Sequence, residues 1–398
     1  MKVVIALLVI SILLHSCSKD DEVVTLSSAD AKAESVFLTR DHHDRPVVVW
    51  TENKNGNLTL IAARSERDHD ELRVTCRLPL TSDVATHAES MPKVAFAGDG
   101  TIVAAYEKKT PTETNKYAGA IFYRVSQDGG KSWTEEMFLH NDTVAGRSRS
   151  YFDIDRLPDG TIGAAWLDVK LDNKNGGRTL RFAKTVTGQK FGSEVLVDSS
   201  ACQCCRIDVY SHQNNDVVIS YRGLKKGAMG RQIRDMMIVS SSNGGSTFSA
   251  PFVISADNWN IDGCPHTGPS ICGNKGGLIS LWYTEGTGTG VFFATKSTND
   301  KTFSAKNLVS SEGRHPQLCA NGEKIAMLWE ENTAIDVKNV TAIHYRLSVN
   351  GEETKIGTVT PVDRNAFSPV ITSFNDGFLI AYLIENDQGQ TIVQLKNL

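Results

Sequence analysis

The sequence predicts an all-β propeller of six or seven four-stranded blades, seven by the count of its repeats. Three observations carry that prediction. A turn followed by four or five apolar residues ending in an aromatic recurs as "RPVVVW", "GTIVAAY", "GTIGAAW", "DVVISY", "GLISLW", "KIAMLW" and "GFLIAY", with the aromatics 47 to 61 residues apart. Most copies follow a shorter strand and a Gly/Asp/Asn turn, as in "PKVAFAGDGT" and "PVITSFNDGF", which is hairpin grammar. No long segment carries a helical period.

Taken in order, the chain begins "MKVVIALLVISILLHSCSKDDE". Lys2 precedes an apolar run from Val3 to Leu14 that is short for a membrane span and has the shape of an export signal. "LLHSC" resembles the lipobox of bacterial lipoproteins, which implies a signal peptide over residues 1–16 and lipidation of Cys17. The alternative is an ordinary secretory signal with an incidental cysteine. The acidic "SKDDE" resembles the tether of surface lipoproteins, so residues 17–34 read as tether and 35–398 as propeller. Acyl chains on Cys17 would anchor the protein to the outer membrane, facing the periplasm or the cell exterior, with no other membrane contact.

The body of the chain mixes 42 basic and 46 acidic residues to a net charge of -4, which leaves no electrostatic footprint for nucleic acid. A monomer is expected. Eight cysteines become seven once Cys17 is lipidated, so in an oxidising compartment at least one has no internal disulfide partner.

Third strands follow the aromatics, as in "AIFYRVS", "LRFAKT", "DMMIVSS" and "VFFATKS". The last unit ends after its third strand, so its fourth must come from near the N-terminus, where "EVVTLSS" is the candidate. Between third and fourth strands, "SQDGGKSW" fits the pattern S-x-D-x-G-x-x-W, and "SSNGGSTF" fits it with Asn243 in the Asp position. These strings resemble the Asp boxes of bacterial neuraminidase repeats, and with the blade-sized period they mark residues 35–398 as similar to sialidase-like propellers. The box is a structural turn and implies no activity.

Topology then gathers the polar candidates. In an up-and-down meander, the entries to the innermost strands and the loops after each aromatic share one rim, over the central channel. The entries read "HAESMP", "RSRSYFD", "CQCCRID", "CPHTGP", "RHPQ" and "NAFSP". Cys202, Cys204, Cys205, Cys264, His266, Arg149, Arg206, Arg314 and His315 are therefore expected at one mouth, with His42, His43 and His87 nearby. The cysteines admit two readings. One is a disulfide from Cys264 to one of the three, stapling adjacent blades. The other is a site for copper(I) or zinc, which thiolates and imidazole suit. Cys76, Cys272 and Cys319 read as buried apolar-like residues.

The sialidase resemblance implies recognition of an anionic glycan or small anionic ligand, and hydrolysis of exo-sialidase type if the chain is an enzyme. Such enzymes clamp a carboxylate with three arginines and use a tyrosine nucleophile with acidic partners. The residues that could serve are Arg149, Arg206, Arg222 and Arg314 for the clamp, with Tyr151, Glu107 and Asp168 for the chemistry. Lys225, Lys226, Arg231 and Arg234 add a local basic patch. The chain departs from the family in lacking its Arg-Ile-Pro signature. "DRP" at Asp44–Pro46 is the nearest string. A third reading is a non-catalytic interaction module.

Overall fold

The structure, a computed structural model, describes residues 23–66, 69–171, 175–186, 190–212, 216–335 and 338–398. The export segment and Cys17 lie outside them. Seven four-stranded antiparallel sheets form the seven blades of a propeller. Blade 1 comprises Lys32–Arg40, Pro46–Lys54, Asn57–Glu66 and His69–Leu80. The first strands of blades 2 to 7 are Lys93–Phe96, Ser150–Arg156, Asp208–His212, Ser270–Asn274, Gly313–Asn321 and Ala366–Phe374.

These first strands contact one another around the ring and enclose a channel of about 430 Å³ lined from all seven. Polar side chains on them stitch neighbouring blades together. Lys93 Nζ reaches Asp153 Oδ1 at 2.8 Å, Asp153 Oδ2 accepts from Val209 N at 2.7 Å, and Asp208 Oδ2 accepts from Ile271 N at 2.6 Å.

The repeated apolar runs are the second strands. Each lies between two blades and is covered on both faces, so it reads as a continuous run rather than an alternation. Ile162–Asp168 is buried at every position. Seven apolar clusters follow from this, one at each interface between adjacent blades. Trp166 and Trp282 are wholly enclosed. Truncating either to alanine should cost about 3–5 kcal/mol.

Ring closure uses Val23–Thr25, which pairs antiparallel with Thr391–Asn397 in the register Val23 to Lys396. The closing strand thus lies inside the segment 17–34 that composition marks as tether. Three hydrogen-bonding residues with half-exposed valines are enough to complete an edge, and polar flanks hide so short a strand.

The turn "SQDGGKSW" is built by Asp128, whose Oδ1 accepts from Lys131 N at 3.1 Å and Ser132 N at 2.9 Å. Gly130 stands at φ 88°, with Cys76 directly against it.

A cysteine-rich candidate site at the channel mouth

Entry to the innermost strands is irregular in the same way in three blades. A bulge interrupts each strand near its start, and one of its residues adopts a left-handed conformation: Tyr151 at φ 52°, His315 at 48° and Ser368 at 54°. Non-glycine residues seldom sit there. The bulge redirects the chain at the rim. In blade 5 the entry loop does the same at His266, φ 48°.

"CQCC" and "GCPH" enter the adjacent first strands of blades 4 and 5, and this brings them together. The Sγ atoms of Cys202, Cys204 and Cys205 lie within 4.8 Å of one another, and Cys202 Sγ is 3.9 Å from each of the other two. Cys204 Sγ also lies within 4.8 Å of Cys264 Sγ and a ring nitrogen of His266. The first three are buried, whereas Cys264 and His266 are exposed. All seven described cysteines are unbridged. Cys76 and Cys272 are buried and Cys319 is partly so, with burial raising each thiol.

Beneath the thiols lie two arginines. Arg234 Nη1 donates to Cys202 Sγ at 2.9 Å, and its other nitrogens reach Gln232 Oε1 and Ile261 O. Among the described residues Arg222 bonds only to carbonyls, those of Arg234, Thr267 and Tyr283, and it stacks on Trp259 at 4.7 Å. Among the described residues no carboxylate hydrogen-bonds either guanidinium. Asp235, the nearby acid, accepts from Asn258 N and Trp259 N instead. Both arginines are 3% exposed or less. Cys202 is held far below the usual thiol range, first by the thiols of Cys204 and Cys205 and then by Arg234 and Arg222, while burial opposes.

The other arginines differ in their commitments. Arg149, 1% exposed, lies 2.8 Å from Asp142 and 3.2 Å from Asp168. Arg206 spans the channel: Nη1 to Glu89 Oε1 at 3.2 Å, Nε to Pro269 O at 3.4 Å, and Nη2 to Pro316 O. Of the four candidate clamp arginines only Arg314 presents its guanidinium to solvent, beside Glu285 and over the Tyr283 ring. Asp168 caps the indole of Trp166 at 2.8 Å, a pattern repeated by Glu52 on Trp50 and Glu331 on Trp329.

Tyr151 packs against the three buried cysteines, 5.8 Å from the His87 ring. Burial, Cys204 and Glu107 push its phenol up, so it is protonated at neutral pH. Glu107 accepts from Ser90 Oγ at 2.5 Å and Tyr151 N at 3.3 Å, and burial raises its carboxyl. His315 pairs with Glu330 at 2.7 Å. Burial lowers its imidazole, but the bond to Glu330 and the charges of Glu330 and Glu89 together outweigh burial and raise it.

His42 and His43 belong to the turn Asp41–Arg45, between the first two strands of blade 1, and so to the opposite rim. There His42 faces Gly100 of the equivalent turn in blade 2. Glu89 and the inward course of Arg234 escape a reading of the sequence. Both sit in polar strings that read equally well as solvated rim.

No family model and no curated protein matches the chain. Solved structures do. An ulvan lyase of polysaccharide lyase family 25, bound to a GlcA(1-4)Rha3S segment, superposes with TM-score 0.57 at 13% identity, over 92% of this chain and 94% of its own. The polysaccharide lyase Uly1 gives 0.55 at 11%, over 94% and 91%. A protein of unknown function from Dyadobacter fermentans gives 0.50 at 14%, over 83% and 99%. At these identities the likeness is one of fold, a β-propeller.

Proposed function

We propose that this protein is a metal-binding propeller lipoprotein, anchored through Cys17 to the outer membrane and facing the periplasm or the exterior. It binds soft metal, copper(I) or zinc, through donors drawn from Cys202, Cys204, Cys205, Cys264 and His266. One observation carries the reading: four further donors from two blades lie within 4.8 Å of the sulfur of Cys204. The spacing supports it. Three sulfurs about 2.3 Å from one ion, the bond zinc makes, stand about 4.0 Å apart in a trigonal plane, against 3.9 Å from Cys202 to each neighbour. Charge supports it too, because two buried guanidiniums without carboxylate partners call for thiolates close by.

The test is metal content and free-thiol count on one sample of purified protein. At least one equivalent of copper or zinc is expected, lost when Cys202 and Cys204 become Ser. Metal-free protein that takes up neither ion, or a Cys264 disulfide to one of the three, overturns the reading.

A second reading places an anionic glycan at the same mouth, bound with or without hydrolysis. Exposed His87 beside half-buried Tyr151, exposed His266 beside Cys204 and exposed Arg314 at the entry of blade 6 favour it, as does the propeller's likeness to lyases that act on polysaccharides. It expects affinity for an acidic oligosaccharide that falls at least tenfold in Arg314→Ala and persists when Cys264 is replaced. Binding unaffected by Arg314→Ala rejects it.

A further inference from the structure

The donors form two triads, not one set of five. Cys202, Cys204 and Cys205 make the first, which is closed: they are 1%, 4% and 2% exposed. Cys204, Cys264 and His266 make the second, which opens to solvent. Only Cys204 belongs to both. A thiolate has lone pairs enough to bridge two metal ions. We propose that the mouth binds a pair of copper(I) ions bridged by Cys204, one buried and one at the surface. The inference rests on the metal reading above and specifies the ion, its number and the role of each residue.

Charge decides for copper(I) against zinc. As ligands, four thiolates carry four negative charges and an imidazole none, so two monovalent ions together with Arg222 and Arg234 bring the cluster to neutrality. Two divalent ions would leave two uncompensated positive charges beside guanidiniums that already lack carboxylates, a costly arrangement in a buried site. Coordination agrees. Zinc in a closed site takes four ligands, whereas the buried triad supplies three sulfurs.

The order of occupation follows from access. The surface triad is reached directly from solvent, and the buried triad is reached through Cys204. An ion arriving at Cys264 and His266 is handed inward by exchange at the shared sulfur. The outer pair is the entry port, and the inner triad is the retaining site.

The experiment is an anaerobic titration of the full-length, reduced protein with copper(I) against a chromogenic copper(I) chelator. X-ray absorption on the loaded sample and circular dichroism on every variant accompany it. Wild-type protein is expected to take two equivalents and to show a copper–copper distance. Cys264→Ser combined with His266→Ala, both exposed positions, should leave the fold intact, bind one equivalent and abolish that distance. Cys204→Ser should reduce tight binding to less than one equivalent. One equivalent in wild-type protein, unchanged by the outer double variant, overturns the pair while leaving a single metal centre standing. Preferential retention of zinc over copper(I) overturns the choice of ion. No uptake of either ion removes the metal reading and the pair with it.

Discussion

Arg206 offers the sharpest separation between a guanidinium that holds the ring and one that holds a ligand. It is 7% exposed and its partner Glu89 5%, and its contacts come from blades 2, 5 and 6. Arg206→Met keeps the apolar stem and removes the charge. Glu89 then retains the backbone N–H of residue 206, at 2.8 Å in the native protein, but loses its counter-charge. Breaking one side of a buried ion pair costs about 3–5 kcal/mol, because the other charge is left uncompensated. In a domain of this size that is a fall in Tm of roughly 6–10 °C, at about 2 °C per kcal/mol. The assay is thermal and urea unfolding at pH 7 of wild type, Arg206→Met, Glu89→Gln and the double variant. The double variant should recover more than half of the loss, since it leaves no isolated charge. Arg206→Met within about 1 kcal/mol of wild type, or a double variant as unstable as the two single losses added together, refutes the structural assignment.

Gly130→Ala should cost about 2–4 kcal/mol, because a β-carbon there meets Cys76 Cβ at 2.2 Å in a left-handed turn. As the obstacle is Cβ itself, Cys76→Ala should not relieve it, and rescue by that change would refute the overlap. Asp208 is raised to about 7, by burial first and then by the charge of Asp153. A carboxyl raised by the fold favours the native state below its unfolded value near 4, and that contribution is lost as pH rises through 7. Asp208→Asn, which keeps an acceptor for Ile271 N, should gain stability over wild type between pH 5 and 8, measured by Tm. A constant difference across that range argues against the shift. Arg234→Gln removes a charge-assisted bond to Cys202 worth about 1.5–3 kcal/mol. Copper(I) affinity should fall roughly 10- to 150-fold. Unchanged affinity means that the guanidinium does not support the thiolate.

Much of the fold is legible because a propeller repeats its physics. Every second strand is buried on both faces, so "GTIGAAW" and "GLISLW" look alike for the same reason, and seven copies reveal the period. The cysteine cluster is legible for a topological reason: Cys204 and Cys264 each stand a few residues ahead of an innermost strand, and adjacent innermost strands converge. The arginines are not legible. Arg149, Arg206, Arg222 and Arg314 occupy comparable places in the sequence, yet three turn inward to carbonyls and carboxylates and one faces solvent. Several of those partners lie far along the chain: Glu89 and Pro316 O, both bonded to Arg206, are 117 and 110 residues from it. Nor does the sequence display the left-handed residues at the rim. His315 and Ser368 each precede a proline, which excludes a helical conformation there, but Tyr151 precedes Phe152 and has no such marker.

The meeting of the two motifs depends on how closely blade 5 seats against blade 4, and Gly268 sets that distance. A β-carbon at this position would lie 2.2 Å from Arg206 Cγ and 2.5 Å from Arg206 O. The carbonyl contact cannot be relieved by a side-chain rotation, so Gly268→Ala must push the entry loop of blade 5 away from the strand that follows "CQCC". The loop carries Cys264 and His266, four and two residues upstream. Overpacking of this kind costs about 1–3 kcal/mol. The more telling consequence is geometric, since a shift of a fraction of an ångström takes the outer donors away from Cys204 while the inner three, all on blade 4, stay together. Gly268→Ala should therefore lose the outer copper(I) and keep the inner one, with a modest fall in Tm and unchanged circular dichroism. If both ions are retained, the outer triad does not depend on the packing of the two blades, and its donors must come from the loop alone.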